Sequence, residues 1–380
     1  DRPPMIRVLH LITTLDTGGT EMMLYKLLSC LDQGVFSNRV VSLARAGVVG
    51  TKIRDLGIPV SDLGMESGAF NPLALLRLTR DFLSWKPTIV QTWLYHADLA
   101  GLCVAKLTGM GKVVWNVRCS YMDLAQYRQL TRFARILCRI LSPLADVIIS
   151  NSEEAKRYHL GLGYRNRRFE VIPNGFDLEI FKPDQALRQG MRQELKVRES
   201  AFYVGLIARF DPMKDFQTFF RAAKRVHLKH PDTHFVLCGR NLDHANRKLR
   251  RLMIAEGVDT NVHLLGHRED VQGVLAGMDL VVSSSCGESF PNVVGEAMGC
   301  CIPCVVTDVG DSAAIVGDSG KVVPSRDPTR LANAIIEFIE MDAEEREKLG
   351  RLARARIRKC YPLKKIACLY ERLYLDVARK

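Results

Sequence analysis

Residues 279–299, DLVVSSSCGESFPNVVGEAMG, read as a strand, a loop and a helix in direct succession. The apolar centre of 279–285 is short, is flanked by small polar residues and stops at Gly287, as a buried strand does. Pro291 suits a first helical turn, where its missing N–H costs nothing, and 292–299 continues as a helix. Amides at that helix start point outward, and the helix dipole favours an anion such as phosphate there. Two carboxylates stand eight positions apart, Glu288 in the loop and Glu296 one turn into the helix, and both can face one cleft. Glu296 is placed to accept from paired hydroxyls such as those of a ribose, and Glu288 from a second, sugar-like group. Taken alone, the same two residues also suit a solvated loop carboxylate and a helix-surface charge, so the neighbouring motifs decide.

Working outward, short apolar strands alternate with helical stretches along the whole chain, which predicts parallel α/β sheets, doubly wound with helices on both faces. Strands are predicted over 6–15, 39–43, 89–93, 113–117, 147–150 and 170–172 in the first half, and over 203–208, 234–238, 262–265, 280–283, 303–307 and 320–323 in the second. The turn residues Pro173-Asn174-Gly175, then Pro183 and a charged helix, interrupt the pattern and put the domain joint between 174 and 200. The predicted organisation is a first Rossmann-like domain over 1–183, a second over 184–361, and a last helix over 362–380 that packs back on the first. Ligands of such sheets bind beyond the carboxyl ends of strands, which predicts an active cleft where the two domains face each other.

A chain of 380 residues suits two domains, and an apolar fraction of 47% excludes disorder. No stretch supplies the roughly 18 uninterrupted apolar residues that span a bilayer, and no signal-peptide pattern opens the sequence. A cytoplasmic protein is expected, at most adherent to the inner face of the cytoplasmic membrane. Eleven cysteines form an odd, scattered set inside apolar patterns, as reduced thiols do. Cys301 and Cys304 make a C-x-x-C without a second pair or a histidine at ligand spacing, so neither metal nor redox use is expected. The net charge of +12 calls for an anionic partner, and the lack of aromatic-basic interleaving disfavours nucleic acid. Arg128, Arg132, Arg135 and Arg139 recur at spacings of four, three and four on one predicted helical face, with Leu130, Phe133, Leu137 and Leu141 available for burial. That face suits an anionic membrane surface or plain solvent.

Other strand ends carry groups suited to a phosphate-bearing ligand. Gly18 and Gly19 follow the first strand and open a helix, where backbone amides come close to a ligand or simply make a tight turn. Neither G-x-G-x-x-G nor G-K-[ST] occurs. The stretch GLIARFDPMKD, 205–215, releases Arg209 at the end of a strand and Lys214 at the start of the next helix, so the two cations converge on one site. The guanidinium offers a planar fork and the ammonium a point charge. A departing diphosphate builds negative charge that such preplaced cations stabilise. His96 stands where strand 89–93 gives way to a helix, a catalytic candidate placed to donate to a sugar hydroxyl or to steady charge near the reacting carbon, though the position also suits a capping or core histidine. Arg118, after the strand VVWNV, and Tyr121 are candidates for acceptor contact.

Together these residues resemble family 4 of the GT-B glycosyltransferases, retaining enzymes that use nucleotide-activated sugars. The resemblance covers essentially the whole chain: the Gly18-Gly19 loop, His96, the Asn174-Gly175 exit, the Arg209/Lys214 pair and the two glutamates. GGTE (18–21), QTWLYHADLAG (91–101) and TDVGD (307–311) look most like bacterial members that build exopolysaccharide, capsule or lipopolysaccharide. The resemblance implies that Arg209 and Lys214 bind the donor diphosphate, that Glu296 takes the ribose hydroxyls and that Glu288 holds the donor sugar. It further implies support from amides near Asn292 and Val293, a base framed by Gly239-Arg240 and Gly266-His267-Arg268 largely through backbone groups, and contact of Gly18, Gly19 and His96 with the donor. The more usual Gly-Phe-Gly after the first glutamate reads Ser289-Phe290-Pro291 here, which leaves the donor sugar open.

The implied donor is a UDP-sugar or another nucleotide-diphosphate sugar, and the implied acceptor a saccharide or lipid-linked saccharide. No metal cofactor is expected, since side-chain cations take its place. No second carboxylate stands in an obvious nucleophile position of the first domain, so front-face displacement is the expected mechanism. A GT-B sugar-nucleotide epimerase or hydrolase, and a non-catalytic GT-B scaffold at the membrane, are the alternatives.

Overall fold

A run such as Leu280-Val-Val-Ser283 has no polar face to offer, and a parallel strand needs none, because helices cover it on both sides. Among the described residues every strand pair is parallel. The computed structural model describes residues 5–65, 72–120, 129–196, 198 and 200–379. These form two compact units, one of Asp1–Gly175 with Leu363–Lys380 and one of Phe176–Pro362.

The first unit contains β1 Ile6–Ile12, β2 Phe36–Ser42, β3 Val60–Asp62, β4 Ile89–Trp93, β5 Lys112–Val117, β6 Val147–Ser150 and β7 Phe169–Val171, in the spatial order β3-β2-β1-β4-β5-β6-β7. One face of this sheet is covered by the last helix of the chain, Leu363–Arg379, whose Ile366, Tyr370, Leu373, Tyr374 and Val377 join Val8, Ile12, Trp93 and Val114 in a single core. Tyr370 stacks on Trp93 with ring centres 6.3 Å apart, and its hydroxyl accepts from Asn116 Nδ2 at 3.1 Å. The Tyr374 hydroxyl donates to Gln91 Oε1 at 3.2 Å, so two buried amides on the sheet are satisfied by tyrosines from the chain's far end.

The second unit contains β8 Phe202–Ile207, β9 Thr233–Cys238, β10 Val262–Leu264, β11 Leu280–Ser283, β12 Cys304–Thr307 and β13 Lys321–Val323, in the order β10-β9-β8-β11-β12-β13. Its two cores lie on opposite faces of the sheet. Asp279, just before β11, receives Arg188 Nη2 at 2.6 Å, Arg192 Nη2 at 2.7 Å and the Tyr203 amide at 2.8 Å, which fastens the helix Gln185–Leu195 beneath β8 and β11.

Three expectations are corrected. The chain enters the second unit at Phe176 and not at 184, because Phe176 is buried against Phe290 and Tyr361 and lies on Gly295, where a Cβ would stand 2.1 Å from its ring. Arg354 also donates to the carbonyls of Leu178 and Phe181, holding 176–183 to that unit. The first strand ends at Ile12 and not at 15, since the Thr14 hydroxyl accepts from the Asp16 amide and turns the chain. In the helix Gln129–Leu141, Ala134 and Cys138 face the core, whereas Phe133, expected to be buried, is 56% exposed.

Two buried histidines make the first unit acid-labile. Burial is the main reason that His10 and His159 are lowered from 6.5 to about 4. His10 Nε2 donates to Asn38 Oδ1 at 3.1 Å while its Nδ1 is buried without a partner; His159 Nδ1 donates to the Ala155 carbonyl at 2.7 Å and its Nε2 accepts from the Tyr95 hydroxyl at 2.8 Å. An extra proton meets no acceptor in one ring and a donor in the other. Between the two values the unfolded chain binds more protons, so this stability is whole above about pH 6.5 and is lost as the pH falls towards about 4. Urea unfolding across that window should show a loss on the order of 3 kcal/mol for each histidine. A flat profile there would contradict the neutral assignment.

Candidate functional site

Both sheets reverse direction next to their first strand, with β1 flanked by β2 and β4, and β8 flanked by β9 and β11. Such a switch point leaves a crevice at the carboxyl ends of the two central strands. In the second unit the crevice receives the turn after β8, with Arg209 and Lys214, and the turn after β11, with Glu288.

Local capping fixes both turns. Asp211 Oδ1 accepts from the Met213 amide at 2.9 Å and shapes the short 3-10 turn Pro212–Lys214. Asp215, with φ 47°, caps the helix Phe216–Lys229 by accepting from the Thr218 amide at 3.1 Å and hydroxyl at 2.7 Å. Lys214 thereby projects over β11, where its ammonium pairs with the Glu288 carboxylate. The serines before Glu288 hold each partner: Ser284 Oγ donates to the Lys214 carbonyl at 2.8 Å, and Ser285 Oγ donates to Glu288 Oε1 at 2.8 Å. Thr307, at the end of β12, anchors the Ser285 carbonyl at 2.6 Å. A small cavity is lined by Ala208, Lys214, Ser283, Ser285, Glu288 and Val293.

Lys214, Glu288 and Val293 are therefore brought together. Asn292 opens the helix Asn292–Gly299, and Glu296 is half-buried within it. Arg209 departs from expectation: its guanidinium is directed to Asp211, with Nε and Nη2 each 2.9 Å from Oδ2, and does not converge with Lys214 on a shared contact. Burial alone would raise the Asp211 carboxyl, but the Met213 amide, Arg209 and the Lys214 charge hold it below the usual carboxylate value. Gly239 and Gly266 follow β9 and β10 with φ of 144° and 66°, and the Gly239 amide donates to the Gly266 carbonyl at 2.7 Å. A Cβ at Gly239 would lie 1.9 Å from the Ala208 carbonyl oxygen, so only glycine lets the turn after β9 pass so close to the turn after β8. Arg240 and His267 beside them are exposed. The Arg268 side chain is engaged elsewhere, clamped by Asp270 at 2.7 and 2.8 Å and by Glu194 at 2.5 Å.

In the first unit, the Gly18-Gly19 turn and His96 follow the neighbouring strands β1 and β4. Gly18 caps the helix Gly19–Leu28 with extended backbone, and the buried Glu21 carboxylate folds back over it, 2.3 Å from where a Gly18 Cβ would stand. His96 Nε2 lies 3.3 Å from the Thr131 hydroxyl, and burial lowers its pKa. Arg118 lies over the Trp93 ring at 5.4 Å and donates to Asn174 and Asn116, so it braces the exit from this unit. Tyr121 and Arg128 lie outside the described residues. Among the described residues no group of three or more His, Cys, Asp or Glu is placed to hold a metal ion.

Sequence reasoning missed Asp211, Ser285 and Glu21. The serine run and the Gly-Gly-Thr-Glu order were visible, but only the folded turns show which carboxylate each one meets.

Two family models match the chain: "Glycosyltransferase Family 4" over residues 17–180 and "Glycosyl transferases group 1" over 201–341. The protein belongs to this family of glycosyltransferases. A UDP-Gal:α-D-GlcNAc-diphosphoundecaprenol α-1,3-galactosyltransferase of Escherichia coli is 24% identical over 82% of this chain and 79% of its own. An N-acetyl-α-D-glucosaminyl L-malate synthase of Bacillus anthracis is 28% identical over 56% of this chain, which spans 55% of that relative. Among solved structures, Anabaena HepE in complex with UDP-glucose has a TM-score of 0.85 at 22% identity, over 98% of this chain and 100% of its own, a likeness of fold in the GT-B class.

Gly310 tests how the Glu288 turn is held. It has φ 57°, and a Cβ there would stand 2.2 Å from the Glu288 carbonyl oxygen. Gly310→Ala should destabilise the protein by about 1–3 kcal/mol and speed amide exchange around Glu288. Unchanged melting and exchange would show that this contact does not hold the turn.

Proposed function

We propose that the protein is a retaining glycosyltransferase that moves a sugar from a UDP-sugar to a saccharide or lipid-linked saccharide acceptor in bacterial surface-glycan synthesis. The observation that carries this reading is the Lys214–Glu288 pair at the switch point of the second sheet. A diphosphate seeks a cation and a sugar seeks an acceptor for its hydroxyls; here both are held within one contact. The UDP-Gal relative and the UDP-glucose-bound structural neighbour support a uridine donor. The diphosphoundecaprenol in the relative's name supports a lipid-linked acceptor.

On this reading the donor replaces the internal ion pair. Its diphosphate takes the Lys214 ammonium, and its sugar hydroxyls donate to Glu288, which Ser285 keeps in orientation. Arg209 exchanges Asp211 for phosphate oxygens, and Glu296 receives the ribose. Gly239, Arg240, Gly266, His267 and the Arg268 backbone frame the base, while Asn292 and Val293 offer amides. The acceptor oxygen then attacks the anomeric carbon on the face from which diphosphate departs. The bond from that carbon to the phosphate oxygen breaks, the new glycosidic bond forms, and the acceptor proton passes to a phosphate oxygen. Lys214 acts by compensating the charge that builds on the leaving group. Gly18, Gly19, His96 and Arg118 belong to the acceptor-bearing first unit.

Titration with UDP and with UDP-sugars tests the assignment. Lys214→Ala should weaken both classes and lower kcat by roughly 100-fold or more. Glu288→Gln should weaken UDP-sugar binding while leaving UDP nearly unchanged, and Ser285→Ala should do the same to a smaller degree. Full transfer by Lys214→Ala at saturating donor would remove its leaving-group role. A new sugar nucleotide formed without acceptor would favour the epimerase instead. Transfer should also survive a chelator; loss on EDTA with recovery on Mg²⁺ would overturn the metal-independent mechanism.

A further inference from the structure

The strands β8, β9 and β10 carry a row of rings across one face of the second sheet. In the parallel register Tyr203 stands opposite His234, and His263 stands opposite Val236. Side chains two positions apart on a strand share a face, so His234 and His263 meet across the boundary between β9 and β10. His234 Nδ1 and His263 Nε2 lie 3.0 Å apart, with the ring centres separated by 5.2 Å.

The pair is held without being enclosed. On one side the Tyr203 ring packs beside His234 at 6.0 Å, with Arg192 over that tyrosine at 4.4 Å. On the other, β10 is the edge of the sheet, and both histidines are half-buried, so solvent reaches them. Burial lowers the pKa of both rings; Asp232 opposes the shift at His234, and His234 adds to it at His263. Both are therefore neutral imidazoles at pH 7, one donating and one accepting in their shared contact. A neutral imidazole has one proton and one lone pair, and the donating ring is one tautomer away from turning a second lone pair to the same point.

We propose that His234 Nδ1 and His263 Nε2 form a two-histidine site for a divalent cation of the zinc, nickel or copper class, with water completing its coordination. Nitrogens bound to one tetrahedral ion at about 2.0–2.1 Å stand about 3.3 Å from each other. The observed 3.0 Å needs the rings to part only slightly. On binding, the donating ring moves its proton to its outer nitrogen, both lone pairs meet the ion, and no proton leaves the protein. Imidazole suits these ions, whereas Mg²⁺ takes oxygen ligands. Among the described residues no third His, Cys, Asp or Glu is placed to join the pair, which leaves the outer coordination positions to solvent. An ion here would tie the edge strand β10 to β9. His234 lies near the amino end of β9, whereas the donor groups leave the carboxyl ends of their strands, so the site is separate from the proposed donor pocket and does not rest on that reading.

Calorimetric titration of the full, metal-stripped chain with ZnCl₂, NiCl₂ and MgCl₂ tests the proposal. Zn²⁺ and Ni²⁺ should bind one per chain and raise the melting temperature by linkage, and Mg²⁺ should do neither. His234→Gln and His263→Gln should each weaken Zn²⁺ by on the order of tenfold or more, with UDP binding and the melting temperature of the metal-free chain unchanged. Imidazoles hold Cu²⁺ more tightly than the other two ions. Electron paramagnetic resonance of the unmodified chain with Cu²⁺ should show two equatorial imidazole nitrogens, a readout that needs no variant. Absence of saturable Zn²⁺ and Ni²⁺ binding overturns the proposal, as does a single coordinated nitrogen. So does an affinity that neither substitution changes, which would put the ion at other histidines.

Discussion

Parallel pairing is the constraint from which the rest follows. Two parallel strands cannot be joined by a tight turn; each connection must cross from one end of the sheet to the other, usually as a helix. Every strand therefore ends on the same edge as its neighbours, and all the turns leaving those ends collect there. The turns after β8, β11 and β12 lie far apart in sequence, yet hydrogen bonds link Ser284 to Lys214, Ser285 to Glu288 and Thr307 to Ser285. The same topology in the first unit sets the Gly18 turn beside the start of the helix that bears His96. A site of this kind needs no dedicated scaffold beyond the sheet itself.

Much of this was legible in the sequence. Runs such as IVQTW and FVLC are apolar, short and bounded by turn residues, so their strands were recognisable. The strand β3 was not, because Val60-Ser61-Asp62 is three residues long, lies at the sheet edge and leaves its polar side chains in solvent. The observed division falls at the start of the expected joint and not at Pro183, because Phe176 fits the space that Gly295 leaves open. At the site, residue types indicated which groups suit a charged ligand, but not how they pair when alone. Arg268 meets Glu194, seventy-four positions away, and no spacing rule anticipates that ion pair. Arg209 turns to an aspartate only two residues on, a choice made by the geometry of one turn.

Three charged groups at the strand ends share a further property: each meets a group within its own unit. Lys214 is matched by Glu288, Arg209 by Asp211, and the helix start at Gly19 has the folded-back Glu21 over it. The part-buried Lys214–Glu288 pair gives each charge a partner where water is scarce, and it keeps the side chains in defined positions. Buried pairs of this sort add little to net stability. Their value lies in holding cation and anion in one place.

The return of the last helix to the first unit bears on the order in which the protein is made. Tyr370 and Tyr374 supply buried partners for Asn116 and Gln91, and the whole of Phe176–Pro362 separates those tyrosines from the strands they cover. During synthesis the strands of the first unit emerge before the helix Leu363–Arg379 that packs on them, and the second unit can close upon itself in the meantime. The helices Gly19–Leu28 and Val48–Asp55 pack early on the side of the sheet around Val8 and Ile12, but the part that Ile366, Tyr370 and Tyr374 cover waits until Phe176–Pro362 has been made. A nascent chain with this layout has reason to keep translation brisk, or a chaperone close, over the stretch between its two halves.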